Sequence, residues 1–338
     1  MMFSANAGQV DNLYQVSVPA DGGVDKWQSL ALHQVLVRVS GKSDINNIEA
    51  IDIELKNPSS YIKQFEVISH VDGNQMRVLL DAVRVNQLLQ QNNIAVWGSL
   101  RPDILVWLVM QNGIEREFLR QTDATFNIAL RQAFTGAALP ILHPLYDIED
   151  LLQLSPTDVW AGFWQQIIQA SGRYNADEVI AATIDQITID EKLLWRLSWQ
   201  RQQDNRVLRN EVTAEDETSL MQQFTLILAK QLAEQYASVM TTETFAELII
   251  EVQQLADISD IVHVQRLLQQ IVGISQVSIT RYETNMAQYR LTSQVSADAL
   301  MNALRFNPRF KMLDREDVGF AVDVTSQPVL ATLNYQRP

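Results

Sequence analysis

Two hydrophobic periods take turns along this chain, and the points where one gives way to the other mark its elements. Residues 13–18 alternate as a strand, closed by Pro19 and the Asp21-Gly22-Gly23 turn. From Asp25 to Ser40 the apolar residues Trp27, Leu30, Ala31, Val35, Leu36 and Val39 return at helical spacing, and Gly41 stands at the C-cap position. A short helical piece is expected over 49–55, ahead of Pro58. Residues 61–71 and 75–80 read as a hairpin around Asp72-Gly73-Asn74, and Val83, Val85, Leu88 and Leu89 as a helix that stops at Asn92-Asn93. The pattern predicts a small β-α-β-β-α domain over residues 10–98.

Ile104 to Met110 is the longest unbroken apolar run, flanked by Pro102 and by Asn112-Gly113. A strand with no polar face needs a layer on each side, so this one is expected in the centre of a second domain, residues 99–240. Thr122 offers an N-cap to a helix carrying Phe126, Ile128, Ala129, Leu130, Ala133 and Phe134 and ended by Gly136. Residues 139–146 read as an apolar strand bent at Pro144. Ser155-Pro156-Thr157-Asp158 starts a helix carrying Val159, Trp160, Phe163, Trp164, Ile167 and Ile168. Strands over 179–184, 193–200 and 207–212 follow, with a turn at Asp204-Asn205, and then a helix from about 215 to 240. The order β-α-β-α-β-β-β-α predicts a mixed sheet covered on both faces.

After a linker at 241–244 the pattern reads β-α-β-β-α-β over residues 244–324, the ferredoxin-like order. Ser296 caps its second helix, an edge strand is possible at 319–324, and residues 325–338 are expected as a tail. The fold class is α+β, in three domains.

Composition narrows the functions open to such a chain. Twenty-six basic against 40 acidic side chains give a net charge of −14, which repels phosphate backbones and argues against nucleic acid as a partner. No apolar stretch approaches the about 20 residues a spanning helix needs. Cysteine is absent, which removes disulfides, thiolate nucleophiles and cysteine metal sites together. Residues 1–9 end in the small-x-small pattern Ala5-Asn6-Ala7 that signal peptidase reads, without the charged and apolar regions that should precede it. They are read as the remnant of a signal peptide.

Chemistry is sparse. No glycine-rich phosphate loop, nucleophile elbow, His-Glu-x-x-His or EF-hand spacing occurs, and no cofactor is expected. Asp147, Glu149, Asp150 and Asp158 could converge on a hard divalent cation, but their spacing fits a solvated loop with one helix-capping aspartate better. His143 lies near them and could pair with Asp147 as a base, yet no serine or threonine stands ready as nucleophile. Seven tryptophans invite a glycan reading. Core packing explains Trp107, Trp195, Trp199, Trp160 and Trp164 better, while Trp27 and Trp97 stay open. Arg38 and Arg101 would each need a partner if buried. Arg101 could clamp an anion at the domain junction, though an ion pair between the first two domains is the better expectation.

Several stretches together resemble a proteobacterial family of exported proteins, the domain of unknown function DUF 2066. They are Leu36-Val37-Arg38-Val39-Ser40-Gly41, Tyr61-Ile62 with Phe65, Val96-Trp97-Gly98 through Arg101-Pro102, and residues 103–108. Asp147-Ile148-Glu149-Asp150, Asp158-Val159-Trp160 and residues 170–177 complete the set. The resemblance spans roughly residues 10–240, implies a periplasmic envelope protein, and brings no catalytic residues with it. The middle domain is similar, more distantly, to the N-terminal domain of TolB, a docking module. The reading is a periplasmic, non-catalytic adaptor that meets envelope protein partners through the edge strands of the middle and C-terminal sheets, by strand addition, and could form homo-oligomers. The alternative is a small-molecule or glycan-binding enzyme with its site near His143 and Asp147.

Overall fold

The computed structural model describes residues 10, 12–70, 73–120, 124–203, 206–240, 246–313 and 328–337. The expected features at residues 1–9, Asp72, Thr122, Asp204-Asn205, 241–244 and 319–324 lie outside these. The chain divides into two compact units, one made of Met1–Arg101 with Leu232–Pro338 and the other of Pro102–Gln231.

The first part of unit one follows the predicted order. Strand β1 (Gln15–Pro19) leads into α1 (Val24–Ser40), whose Trp27, Ala31, Leu32, Val35, Leu36 and Val39 are buried. Gly41 ends it in the left-handed region at φ 70°, donating its N–H to Val37. Helix α2 (Glu49–Leu55), strands β2 (Ile62–His70) and β3 (Gly73–Leu80), and α3 (Ala82–Gln91) complete the set. The sheet order is β1-β3-β2, antiparallel throughout.

Unit two is built on β4 (Ile104–Asn112), of which residues 104–109 are all buried, as a run without a polar face requires. It turns into β5 (Glu115–Phe118), a strand the sequence pattern did not reveal because only Phe118 of its four residues is buried. Helix α4 (Ala124–Ala137) runs through Gly136 rather than ending there, and the backbone reverses at Ala138, φ 56°. Of the expected strand at 139–146 only β6 (Ile141–Leu142) pairs, with Ile104 and Leu105. A helix that was not expected follows, α5 (Ile148–Gln153).

Ser155 caps α6 (Pro156–Ala161) as its sequence promised, in a full capping box with Asp158. The helix expected to continue breaks at Gly162, φ 72°, where an added Cβ would stand 2.7 Å from the Gln200 side-chain amide. It resumes as α7 (Trp164–Ser171), with Phe163 and Ile168 exposed and Ile167 buried. Strands β7 (Glu178–Ile189), β8 (Lys192–Gln203) and β9 (Arg206–Ala214) form an antiparallel meander. β7 lies parallel to β4, giving the mixed order β5-β4-β7-β8-β9. Helix α8 (Glu217–Tyr236) buries Leu220, Phe224, Leu228 and Leu232.

The closing part of unit one departs from expectation. Strand β10 (Ala246–Gln253), α9 (Ile258–Gln269), β11 (Ile274–Glu283), β12 (Met286–Ser293), α10 (Ala297–Arg305) and β13 (Phe310–Met312) run in the predicted order. A ferredoxin-like sheet would set the last strand beside β10. That place is taken by β14 (Val329–Tyr335), which lies parallel to β10 and holds β13 on its far side. The order is β11-β12-β10-β14-β13. The supposed tail is therefore an interior strand. Its Ala331, Leu333 and Tyr335 alternate into the core beside Ile250, Val252 and Leu291.

Candidate functional site

Arg38 and Arg101 share one buried node in unit one. Arg38, in the last turn of α1, donates through Nη1 to the carbonyl of Gln15 at 2.7 Å. Arg101 has no exposed surface. It donates to the carbonyls of Gly98 (3.0 Å), Arg38 (2.7 Å) and Trp97 (3.3 Å), and its guanidinium lies 4.2 Å from the centre of the Trp97 ring. Burial pushes the pKa of Arg101 down to about 9, with the Arg38 charge adding to the effect, and burial alone takes Arg38 to about 10. Main-chain carbonyls make this a splice that holds α1 to the segment 97–101.

The acidic cluster lies in unit two, and an arginine outside the candidate set organises it. Asp147 caps α5, its Oδ1 accepting the Asp150 N–H at 3.0 Å. Arg173 binds Asp147 through both carboxylate oxygens, Nη1 to Oδ1 at 2.7 Å and Nη2 to Oδ2 at 3.0 Å. The same Nη1 lies 3.4 Å from Glu149 Oε2 and donates to Asp150 Oδ1 at 3.2 Å. Asp150 is 1% exposed, and its Oδ2 accepts the Tyr146 N–H at 2.8 Å and the Tyr174 hydroxyl at 2.5 Å. Arg173 holds the Asp147 carboxyl below its usual range, while burial drives both Tyr146 and Tyr174 well above theirs. With three carboxylates around it, this guanidinium is already engaged by the protein itself.

The two tyrosines tie the cluster to the core. Trp107 on β4 packs edge-on against Tyr146 (5.7 Å) and Tyr174 (6.0 Å) and donates its indole N–H to Ser171 Oγ at 2.9 Å. Tyr146 itself sits at φ 50°, a rare conformation for an aromatic residue, which its N–H bond to Asp150 helps to hold.

This anchoring turns α5 inside out. Its one buried residue is the charged Asp150. Its apolar residues face away from the protein, Ile148 at 78%, Leu151 at 41% and Leu152 at 83% exposure, with Leu145 just before them at 64%. A buried acid and an exposed apolar patch are each informative, and here one six-residue helix carries both.

The remaining candidates stand apart from this arrangement. Asp158 serves its own capping box with Ser155. His143 is half-buried, with its pKa lowered by burial and then by the charge of Arg131. Among the described residues no hydrogen bond or ion pair joins His143 to Asp147, and no group of three or more histidine and acidic side chains is placed to hold a metal ion. No described helix is long and apolar enough to cross a membrane.

Residues 7–98 match a family model described as a domain of unknown function, DUF8605. No curated protein and no solved structure matches the chain. An uncharacterised domain was expected over this stretch, but under the DUF 2066 description rather than DUF8605. The match stops before Arg101 and before the Asp147–Arg173 cluster, so the geometry of that cluster stands on its own residues.

Arg173 and Tyr174 belong to this cluster but were not among the candidate residues taken from the sequence. Their signal was available in the run Gly172-Arg173-Tyr174, but nothing in sequence spacing joined it to carboxylates 23 to 26 positions earlier.

Proposed function

We propose that this protein is a non-catalytic interaction module of a cell-envelope assembly, docking on a protein partner through the outward face of α5. The observation that carries the reading is the inverted polarity of that helix. Exposing Ile148, Leu151 and Leu152 gains nothing for the isolated fold, whereas covering them with a partner removes apolar surface from water, most of it at Ile148 and Leu152. The Arg173 network holds the patch in one geometry, which lowers the ordering cost of association. Export to the periplasm, the likeness to DUF 2066 and the likeness of the middle domain to the TolB N-terminal domain rest on the sequence resemblance. They supply the envelope part of the reading. Strand β9 supports a second contact of the same kind by strand addition, since it pairs with β8 over nine residues without a bulge and has no other neighbour among the described residues.

The test is site-specific photocrosslinking in cells, with the reactive group placed at Leu152 or Ile148 and, as a control, at Ile114, which is 99% exposed on the β4–β5 turn. A discrete adduct from α5 positions and none from Ile114 supports docking. Adducts only with a second copy make α5 a self-association surface. No adduct from either α5 position removes the proposal.

A further inference from the structure

An open sheet edge invites another chain, and this protein blunts each of its described edges but one. β1 has five residues and ends in Pro19, β5 has four, β13 three and β6 two. β2 carries one break in its register with β3, and β11 carries two with β12. β9 is the exception. It runs nine residues, Arg206–Ala214, in unbroken register with β8, and contains neither proline nor lysine. Among the described residues it has no neighbour on its outer side, where every second residue presents an N–H and a C=O.

The residues of β9 are complementary to their own reversal. About Asn210, Arg209 answers Glu211, Leu208 answers Val212, Val207 answers Thr213 and Arg206 answers Ala214. In two antiparallel copies related by a two-fold axis at Asn210, these are the residues that stand opposite one another, over the whole strand. Arg209 then meets Glu211 of the second copy, and the pair occurs twice. Both residues are exposed, Glu211 with 54% of its side chain in solvent, and among the described residues no ion pair engages Arg209. The other face of β9 stands opposite the buried Arg201, Trp199 and Leu197 of β8. There Leu208 meets Val212, and the two Asn210 amides meet each other, each a donor and an acceptor. Shifting the axis by one residue sets Arg209 against Arg209 or Glu211 against Glu211, and like charges directly opposite are destabilising. Charge thus selects both the occupant and its register.

We infer that β9 pairs antiparallel with β9 of a second copy of this chain, about Asn210, so that two sheets become one across a two-fold axis. This names the occupant of the strand-addition contact proposed above and rests on that reading of β9, whereas docking at α5 stands apart from it.

Sedimentation equilibrium of the full chain tests the pairing. The parent should dimerise with a Kd below about 100 µM. Arg209→Glu and Glu211→Arg each place like charges opposite one another at two points, and each should weaken the dimer about tenfold or more. The chain carrying both exchanges should dimerise as the parent does. So should an equimolar mixture of the two single variants, because opposite charges face each other again in the mixed dimer. A role confined to one chain would not be restored by mixing. The inference is overturned if the parent dimerises more weakly than about 100 µM, if the single variants match the parent, or if mixing them restores nothing. An adduct from Leu152 would stand in each of those cases, so this inference and docking at α5 fail separately.

Discussion

Arg173 Nη1 stands 3.2 Å from Oδ1 of Asp150, the only inward-facing residue of a helix whose isoleucine and leucines point outward. The pair shows how the acidic cluster is held. Asp150, with 1% exposure, receives a main-chain N–H, a tyrosine hydroxyl and a guanidinium. Three donors around one buried carboxylate offset its desolvation, and together they pin α5 to the core strand through Tyr174 and Trp107. The cluster is a mount, and what it mounts is apolar.

Asp150→Ala should therefore destabilise the protein by about 2–4 kcal/mol, since it strands the Tyr146 N–H and the Tyr174 hydroxyl in the interior. Leu152→Ser, at a position 83% exposed, should change stability by no more than about 0.5 kcal/mol. Urea denaturation of both variants checks the contrast. Equal losses would mean that Leu152 belongs to the core.

Acid should loosen two places first. Asp147 and Asp257 have pKa values lowered in the folded state, Asp257 to about 2 through its bonds to Ser259, to the Asp260 N–H and to Arg337. The folded form then binds fewer protons than the unfolded one. The contribution of Asp257 is complete above the ordinary carboxylate value of about 3.9 and is lost as the pH falls from there toward about 2, and that of Asp147 is lost in the same direction. Arg337→Gln should flatten the melting temperature between those limits. If its profile matches that of the parent, these bonds do not carry the acid response.

The C-terminal strand makes a sharper claim. Leu333 is wholly buried in β14, between the register partners Val252 and Met312. Leu333→Ala should cost about 2–5 kcal/mol, as a large-to-small change in a core does. A loose tail would tolerate it, so an unchanged unfolding midpoint would contradict the strand's place in the sheet.

Glu178 and Arg201, 6% and 2% exposed with Oε2 and Nη1 3.5 Å apart, join β7 to β8. Glu178→Ala leaves the guanidinium buried without this partner and should destabilise by about 3–5 kcal/mol. Replacing both residues by leucine and methionine should recover much of that loss. Failure of the double variant to recover would show that the pair fixes the strand register rather than balancing charge.

How far the sequence could be read depended on whether a signal was local. The Gly41 cap, the Ser155–Asp158 capping box and the buried run 104–109 were legible, because each rests on neighbouring residues and one backbone rule. The break at Gly162 was hidden, since Trp160, Phe163, Trp164 and Ile167 keep helical spacing across it and only the approach of Gln200 requires the glycine. Residues 329–335 carry a clear alternation. What hid β14 was topology, as the ferredoxin-like order already appeared complete at β13. For α5 the residues themselves misled. Acids at 147, 149 and 150 read as a wet loop, and only Arg173, far along the chain, turns one of them inward and the leucines out.

The most direct measurement compares the crosslinked partner and the melting temperature in one paired variant, Ile148→Glu with Leu152→Glu, the photoreactive group being placed at Leu151. The account predicts that the adduct disappears while the melting temperature stays within about two degrees of the parent, because neither side chain is packed in the fold. An adduct formed as strongly as before would show that the outward face of α5 is not where this protein meets its partner.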